Sequence, residues 1–358
     1  MRPIIHIITT INRGGAENQL IQNIVTQRKK GLNVTLIFLK GNSYWKNYLE
    51  NENIKVFGPF FKNNYFNFRG ILSIFNLINK KNNILHCHMP PSLFLIYFIS
   101  FFIPKNNIIY TSHNDEPFFH IPLFDLIFSR FIINRADQIV AITPAVKKYL
   151  IKKYYISNHK IKLITYSFDS SIYLNNQFNN NEFNFYKKGV IYIGTVARLV
   201  PQKRIDILIK SFKIINSLEQ NIILVILGNG PDKNKLLSLA KDLGLEKNII
   251  WLDYTEFVIE HMKKWTVFCL TSAYEGFGLV LLEAMHANLP IVAMDVSSIK
   301  DIIGPCGEAV EFGKNKLFAS TMLKVLKNKQ KYLNKNHLDI FSPLNNLEKH
   351  LALYNSLN

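Results

Sequence analysis

The sequence predicts an α/β protein built from two doubly wound parallel sheets, and three observations carry that prediction. Short apolar runs of buried-strand length alternate with segments of helical period along the chain. The 358 residues suffice for two domains, each with a core of its own. Between about Phe168 and Gly189 the period lapses into an Asn-rich stretch, including Asn175-Asn176 and Asn179-Asn180-Asn181, which reads as a linker. The expected organisation is an N-terminal Rossmann-like domain over 1–168, a linker over 169–189, a C-terminal Rossmann-like domain over 190–335, and a helical tail over 336–358 that can pack back on the N-terminal domain.

In the N-terminal half the strands fall at Ile4 to Thr9, Val34 to Leu39, Ile84 to His86, Ile108 to Thr111, Gln138 to Ile142 and Lys162 to Thr165. After the first, Gly14-Gly15 makes a turn, Ala16, Leu20, Ile21 and Ile24 share one helical face, and Gly31 supplies a stop. The longest apolar run, Leu93 to Ile103, is far shorter than the about 20 residues a bilayer crossing needs, so it reads as a core or interfacial helix. In the C-terminal half the strands are Tyr192 to Val196, Ile222 to Leu227, Ile249 to Leu252, Val267 to Leu270 and Ile291 to Met294. Ile205, Leu208, Ile209 and Phe212 recur at i, i+3, i+4 and i+7, the stripe of an amphipathic helix. From Lys316 the pattern is helical until Pro343 interrupts it, and 344–358 reads as a last helix.

The net charge is +18 and unevenly placed. Residues 1–180 hold 21 Lys or Arg against 8 Asp or Glu, a balance of +13, whereas 181–358 hold 22 against 17, a balance of +5. A basic surface attracts polyanions, each cation near an anionic leaflet contributing about 1 kcal/mol; compositional drift toward Lys, Asn and Ile is the plainer source of the same charge. No zinc-finger, RNA-binding or long basic-helix signature accompanies it. Aromatic and aliphatic residues interleave with the charge at Tyr65-Phe66-Asn67-Phe68-Arg69, Phe118-Phe119-His120 and Phe124 through Arg135, which favours a membrane face over nucleic acid. Cys87, Cys269 and Cys306 form no C-x-x-C pair, as in a cytoplasmic protein with reduced thiols, and Met1-Arg2-Pro3 leads straight into a strand with no signal-peptide pattern. The expected location is the cytoplasm, peripheral on the inner face of the cytoplasmic membrane.

The most informative segment runs from Ser272 to Ala284. It sets Glu275 in a Gly-rich turn and Glu283 two helical turns further on, at about 1.5 Å rise per residue. Gly276 and Gly278 let the backbone turn sharply, and the helix begins near Phe277, Gly278, Leu279 and Val280. Its first N–H groups lack intrahelical partners and carry partial positive charge, so a pyrophosphate suits them. Glu275 would reach a neutral sugar on one side of the phosphates, and Glu283 hydroxyls such as those of a ribose on the other. Arg198 and Lys203 lie in the loop after a strand ending at Val196, where their charges would stabilise a leaving diphosphate. Leu224 to Pro231 is a strand running into G-x-G-P at Gly228, and without a third Gly opening a helix it is no dinucleotide fingerprint. Gly14-Gly15-Ala16-Glu17 opens a helix at which phosphate can approach Gly15. His86-Cys87-His88 and Thr111-Ser112-His113-Asn114 end two strands of one sheet, but no carboxylate or thiolate spacing makes a metal site, and no metal is expected. His86 and His88 read as core or surface residues.

The run EGFGLVLLEAM from Glu275, followed by Pro290-Ile291-Val292-Ala293, resembles the E-x7-E motif of glycosyltransferase family 4, the retaining nucleotide-sugar transferases of GT-B fold with two facing Rossmann-like domains and a cleft between them. The loop Ala197-Arg198-Leu199 with Lys203 resembles that family's donor-phosphate clamp, Gly14 to Glu17 its GGAE loop, and His113 the histidine lining its donor-sugar pocket. In the family the Gly228 turn shapes the pocket floor and the Tyr254 segment borders the base; here Asp253 replaces the usual Gly. Ser297-Ser298 stand where the family usually has two glycines. The resemblance spans about residues 4 to 313. It implies a retaining transfer from a nucleotide-sugar, a UDP-sugar above all, to a lipid-linked or polysaccharide acceptor in bacterial surface-glycan or lipopolysaccharide synthesis. The donor is a substrate, no cofactor is expected, and Arg198, Lys203, Glu275 and His113 are the candidate catalytic residues. With no D-x-D in the chain, neutralising the diphosphate falls to cations and helix N-termini, so the expected reaction is independent of metal. A nucleotide-sugar epimerase or hydrolase is the rival enzymic reading, and a basic nucleic-acid-binding protein the rival of another class.

Overall fold

The computed structural model describes residues 2–12, 14–61, 67–80, 82–114, 117–170, 183–219 and 221–357, with Lys335 as backbone only. Tyr65 and Phe66 of the aromatic stretch, and the Asn clusters of the expected linker, lie outside the described residues. The chain forms two compact units: Met1–Ser167 with Phe341–Asn358, and Phe168–Ile340.

The first unit runs β1 (Ile4–Ile8), α1 (Gly15–Lys29), β2 (Val34–Phe38), α2 (Lys46–Asn51), β3 (Lys55–Phe57), α3 (Phe68–Ile78), β4 (Ile84–His88), α4 (Pro90–Ile99) and β5 (Asn107–Ser112). It continues through α5 (Pro122–Phe124), a π-turn over Asp125–Ser129, α6 (Arg130–Asn134), β6 (Gln138–Ala141), α7 (Pro144–Tyr154) and β7 (Ile161–Leu163). The sheet order is β3-β2-β1-β4-β5-β6-β7, with every pairing parallel. Strands this apolar are buried on both faces, as parallel sheets require. Period two puts Ile4, His6 and Ile8 on one face of β1, with His6 in register with His86 and Ile8 with His88. Pro90 and Pro91 occupy the first turn of α4, where no N–H is needed, so this helix starts before the expected Leu93 and stops at Ile99.

The second unit runs β8 (Ile191–Val196), α8 (Ile205–Asn216), β9 (Ile222–Leu227), α9 (Lys233–Asp242), β10 (Ile249–Leu252), α10 (Val258–Met262), β11 (Val267–Leu270), α11 (Leu279–His286), β12 (Ile291–Asp295), α12 (Ile299–Ile303), β13 (Gly307–Glu311) and α13 (Asn315–Lys327). Its parallel order is β10-β9-β8-β11-β12-β13. The stripe Ile205, Leu208, Ile209 and Phe212 is wholly buried and shares a core with Phe318 and Met322 of α13. At about 25 cal/mol per Å² of apolar surface, each such side chain adds roughly 2 kcal/mol.

The chain then returns to the first unit through α14 (Pro343–Asn355). Ser342 caps this helix by accepting from the Asn345 N–H, Leu347, Leu353 and Tyr354 join the core beneath α1, and Asn346 Nδ2 donates to the Thr165 carbonyl at 2.6 Å. Two strands have no counterpart in the sequence reading, β3 and β13. Both are sheet edges; β3 is only three residues long, and β13 carries Glu308 and Glu311, so neither shows a buried run.

Candidate functional site

In an open parallel sheet, ligands bind beyond the carboxyl ends of the strands where the winding reverses. In the second unit the reversal lies between β8 and β11, neighbours in the sheet although far apart in sequence. Arg198 and Lys203 follow β8, while Glu275 and the start of α11 follow β11, so the fold brings the two motifs side by side. The two loops are bonded together. The Ala273 N–H donates to the Gln202 carbonyl at 2.8 Å, Gln202 Nε2 to the Tyr274 carbonyl at 2.9 Å, and Thr271 Oγ1 to the Lys203 carbonyl at 3.1 Å.

Within that frame Lys203 Nζ lies 2.7 Å from Glu275 Oε1, and Ser272 Oγ donates to the same oxygen at 2.6 Å. Glu275 is buried, with 6% of its surface exposed. A carboxylate removed from water needs such partners, because desolvating an unpaired charge costs several kcal/mol. Arg198 is exposed, one residue before the fully buried Leu199. Its loop is seated on the turn after β9: the Ala197 N–H donates to the Leu227 carbonyl, the Leu199 N–H to the Asn229 carbonyl and the Asp232 N–H to the Leu199 carbonyl, each at 3.0 Å. Gly228, at φ 136°, faces the Ala197 carbonyl so closely that a Cβ would overlap it. The G-x-G turn is therefore a backbone seat for the Arg198 loop.

Asp253 accepts from Asn229 Nδ2 at 2.9 Å and from Lys233 Nζ at 2.7 Å, tying the β10 exit to the same turn and giving this departure from the family pattern a structural role. Tyr254 beside it is exposed. Gly278, at φ 80°, forms the left-handed entry to α11, with Leu279 and Val280 in the first turn and Phe277 buried behind it. Glu283 stands one turn further along α11, partly buried. Ser297 has φ 54°, so the backbone keeps the left-handed form that glycine adopts freely, while Ser298 is buried at the entry to α12. A separate hollow of about 370 Å³ between α8 and α9, lined by Arg204, Asp206, Asp232 and Lys235, includes none of the candidate residues.

In the first unit Gly15 is the first residue of α1, and Glu17 in the same turn accepts from Thr10 Oγ1 at 2.7 Å. His113 follows β5 with both ring nitrogens engaged: Nδ1 lies 2.6 Å from the Tyr166 hydroxyl and Nε2 lies 3.3 Å from His88 Nδ1. It can therefore offer a ligand its ring edge and main chain, and an imidazole N–H only after a partner is exchanged. Burial pushes its pKa down to about 3. His86 and His88 are core residues on the face that also carries His6, and the ligating nitrogens of the three lie within 4.8 Å of one another. Burial holds His86 and His88 well below the usual imidazole value and His6 at about 4. Sequence reasoning missed Ser272, Gln202, His6 and Tyr166. Ser272 carries a signal in hindsight, standing three residues before a glutamate at the end of a strand.

Two family descriptions match, and together they span most of the chain: Glycosyltransferase Family 4 over residues 13–170 and Glycosyl transferases group 1 over residues 176–337. An uncharacterized glycosyltransferase of Methanocaldococcus jannaschii is 30% identical over 169 residues, covering 46% of this chain and 41% of its own length. The capsular polysaccharide biosynthesis glycosyltransferase CapM of Staphylococcus aureus is 29% identical over 203 residues, covering 53% and 52%. The match thus spans about half or less of these relatives. The crystal structure of Anabaena Alr3699/HepE in complex with UDP superposes with TM-score 0.83 at 19% identity, covering 99% of this chain and 100% of that one, which establishes the α/β GT-B fold. The chain belongs to glycosyltransferase family 4.

Proposed function

We propose that the protein is a retaining glycosyltransferase that moves a sugar from a UDP-sugar to a membrane-associated or lipid-linked glycan acceptor in bacterial surface-polysaccharide or lipopolysaccharide synthesis. The observation that carries the proposal is the joining of the Arg198-Lys203 loop to the Glu275 turn at the β8/β11 reversal, beside the α11 N-terminus. Arg198 and Lys203 meet the charge that grows on the leaving diphosphate, and the first N–H groups of α11 meet its oxygens. A side chain acting on leaving-group charge is worth on the order of 3 kcal/mol, or about a hundredfold in rate. Glu275, fixed through Oε1, accepts from sugar hydroxyls, and Glu283 accepts from the ribose. With these cations meeting the diphosphate, the reaction is expected to persist in chelator. The UDP complex of HepE and the surface-glycan roles of relatives such as CapM support the donor and acceptor classes.

Apolar exposure in the first unit supports a membrane-borne acceptor. Phe98, Phe101, Phe102, Ile121, Leu123, Phe128 and Phe131 are each 48% or more exposed, alongside the exposed cations Lys105 and Arg130. Next to them α4 and the 118–119 segment line an apolar groove of about 480 Å³. Rings that enter the interface beside cations that meet anionic headgroups suit a peripheral protein. No helix among the described residues is long and apolar enough to cross a membrane. The test is release of UDP from a UDP-sugar panel with a lipid-linked acceptor in anionic vesicles. Acceptor-dependent release that Arg198→Ala suppresses supports the reading, and acceptor-independent release or epimerised donor contradicts it.

A further inference from the structure

Eight residues of the first unit form one hydrogen-bonded chain, and of these His113 alone is a candidate catalytic residue. Gln27 of α1 fixes its direction. Its Oε1 lies 3.0 Å from His6 Nε2, which must therefore donate, and its Nε2 donates to the Tyr354 hydroxyl at 3.3 Å. His6 Nδ1 is then the acceptor for His88 Nε2 at 3.0 Å, His88 Nδ1 the acceptor for His113 Nε2 at 3.3 Å, and His113 Nδ1 the acceptor for the Tyr166 hydroxyl at 2.6 Å. On the other side the Tyr354 hydroxyl donates to His86 Nδ1 at 3.0 Å, and His86 Nε2 donates to Thr111 Oγ1 at 2.7 Å. Every link then has one donor and one acceptor, and all four imidazoles carry their proton on Nε2.

We propose that this chain is a tautomer lock in which Gln27, on a helix remote in sequence from β5, sets which ring nitrogen of His113 bears the proton, with His6 and His88 as positioning residues between them. His6, His86 and His88 are at most 3% exposed, while His113 alone is partly exposed, so the chain leads from the core of the first unit toward its surface. A neutral chain needs uncharged rings. Burial depresses all four, and among the described residues no carboxylate bonds to any of them; the neighbouring titratable groups among the described residues include His350, whose Nδ1 donates to the Asn346 carbonyl, and Glu17, bonded to Thr10. The same three buried histidines could in principle ligate a cation, but the complete one-way polarity leaves no nitrogen lacking a partner. Reversing the Gln27 amide would reverse every link and move all four protons to Nδ1.

The functional consequence rests on the reading that His113 borders the donor sugar; the tautomers themselves do not. Long-range ¹H–¹⁵N spectra of the ¹⁵N-histidine full-length protein at pH 7 are expected to show four neutral rings protonated on Nε2. Gln27→Leu is expected to leave His6, His88 and His113 as tautomer mixtures and, for an even mixture, to lower kcat/KM about twofold. Tyr166→Phe, at the far end, is expected to leave the Nε2–H state of His113 intact, and it keeps the test decisive should Gln27→Leu not fold. Nδ1–H or charged rings in the wild type, an unmoved His113 in Gln27→Leu, a switched His113 in Tyr166→Phe, or stoichiometric Zn²⁺ uptake on these rings would each overturn the lock. Altered tautomers with unchanged kcat/KM would leave the lock standing and count against the sugar contact instead.

Discussion

Acidification should loosen the first unit well before its carboxylates titrate. His6 and His350 are buried with pKa values lowered to about 4, against 6.5 for an exposed imidazole. A lowered histidine pKa means that the unfolded chain binds more protons between those values, so stability rises with pH there. The contribution is fully present above about pH 6.5 and is lost as pH falls toward 4. From pH 7 to pH 5 each of the two costs about 2 kcal/mol, and His86, His88 and His113 act in the same direction. A loss of about 4 kcal/mol is a large share of the 5–15 kcal/mol that holds a typical domain folded. Hydrogen exchange read by mass spectrometry on peptides spanning β1 and β4, corrected for the intrinsic pH dependence of exchange, reports the opening free energy directly. An opening free energy unchanged between pH 7 and pH 5 would show that these imidazoles are not held neutral by burial.

Arg198→Ala removes an exposed side chain, so turnover should fall about a hundredfold while the melting temperature stays unchanged. Lys203→Ala should lower both, because it also strips the buried Glu275 of its cation, at about 3 kcal/mol in urea unfolding. Ser297→Gly relieves a left-handed backbone and should raise stability by up to about 1 kcal/mol in the same experiment. Phe101→Ser with Phe102→Ser should weaken flotation with anionic vesicles while leaving UDP binding intact, and equal flotation would separate these rings from the membrane.

Much of the second unit was legible because its signals are local. The stripe from Ile205 to Phe212 shows its period within two turns, and Glu275 with Gly278 announce the turn into α11. What a linear reading lacks is the lateral order of strands. That Lys203 bonds to Glu275 follows from β8 lying beside β11, and the pairing is what gives Lys203→Ala a cost in stability as well as in rate. The Gly228 turn, which the family resemblance links to the pocket floor, also seats the Arg198 loop, since a Cβ at Gly228 would meet the Ala197 carbonyl and one at Gly230 the Leu199 carbonyl. The histidines were the least legible. His6 sits in an ordinary apolar strand, its partners Gln27 and His88 come from α1 and β4, and Gln27 in turn bonds to Tyr354 of α14, so their union depends on tertiary packing alone. The edge strands β3 and β13 escaped because short or charged edges carry no buried run.

The proposed activity requires that one site in the second unit hold a nucleotide diphosphate through Arg198, Lys203 and the α11 entry. Calorimetric titration of UDP into the wild type and Arg198→Ala, each in chelator, tests it most directly. Saturable binding by the wild type is expected, with at least about tenfold weaker binding by the variant, a loss of roughly 1.4 kcal/mol. Equal affinity in the two proteins, or no binding by the folded wild type, would contradict it.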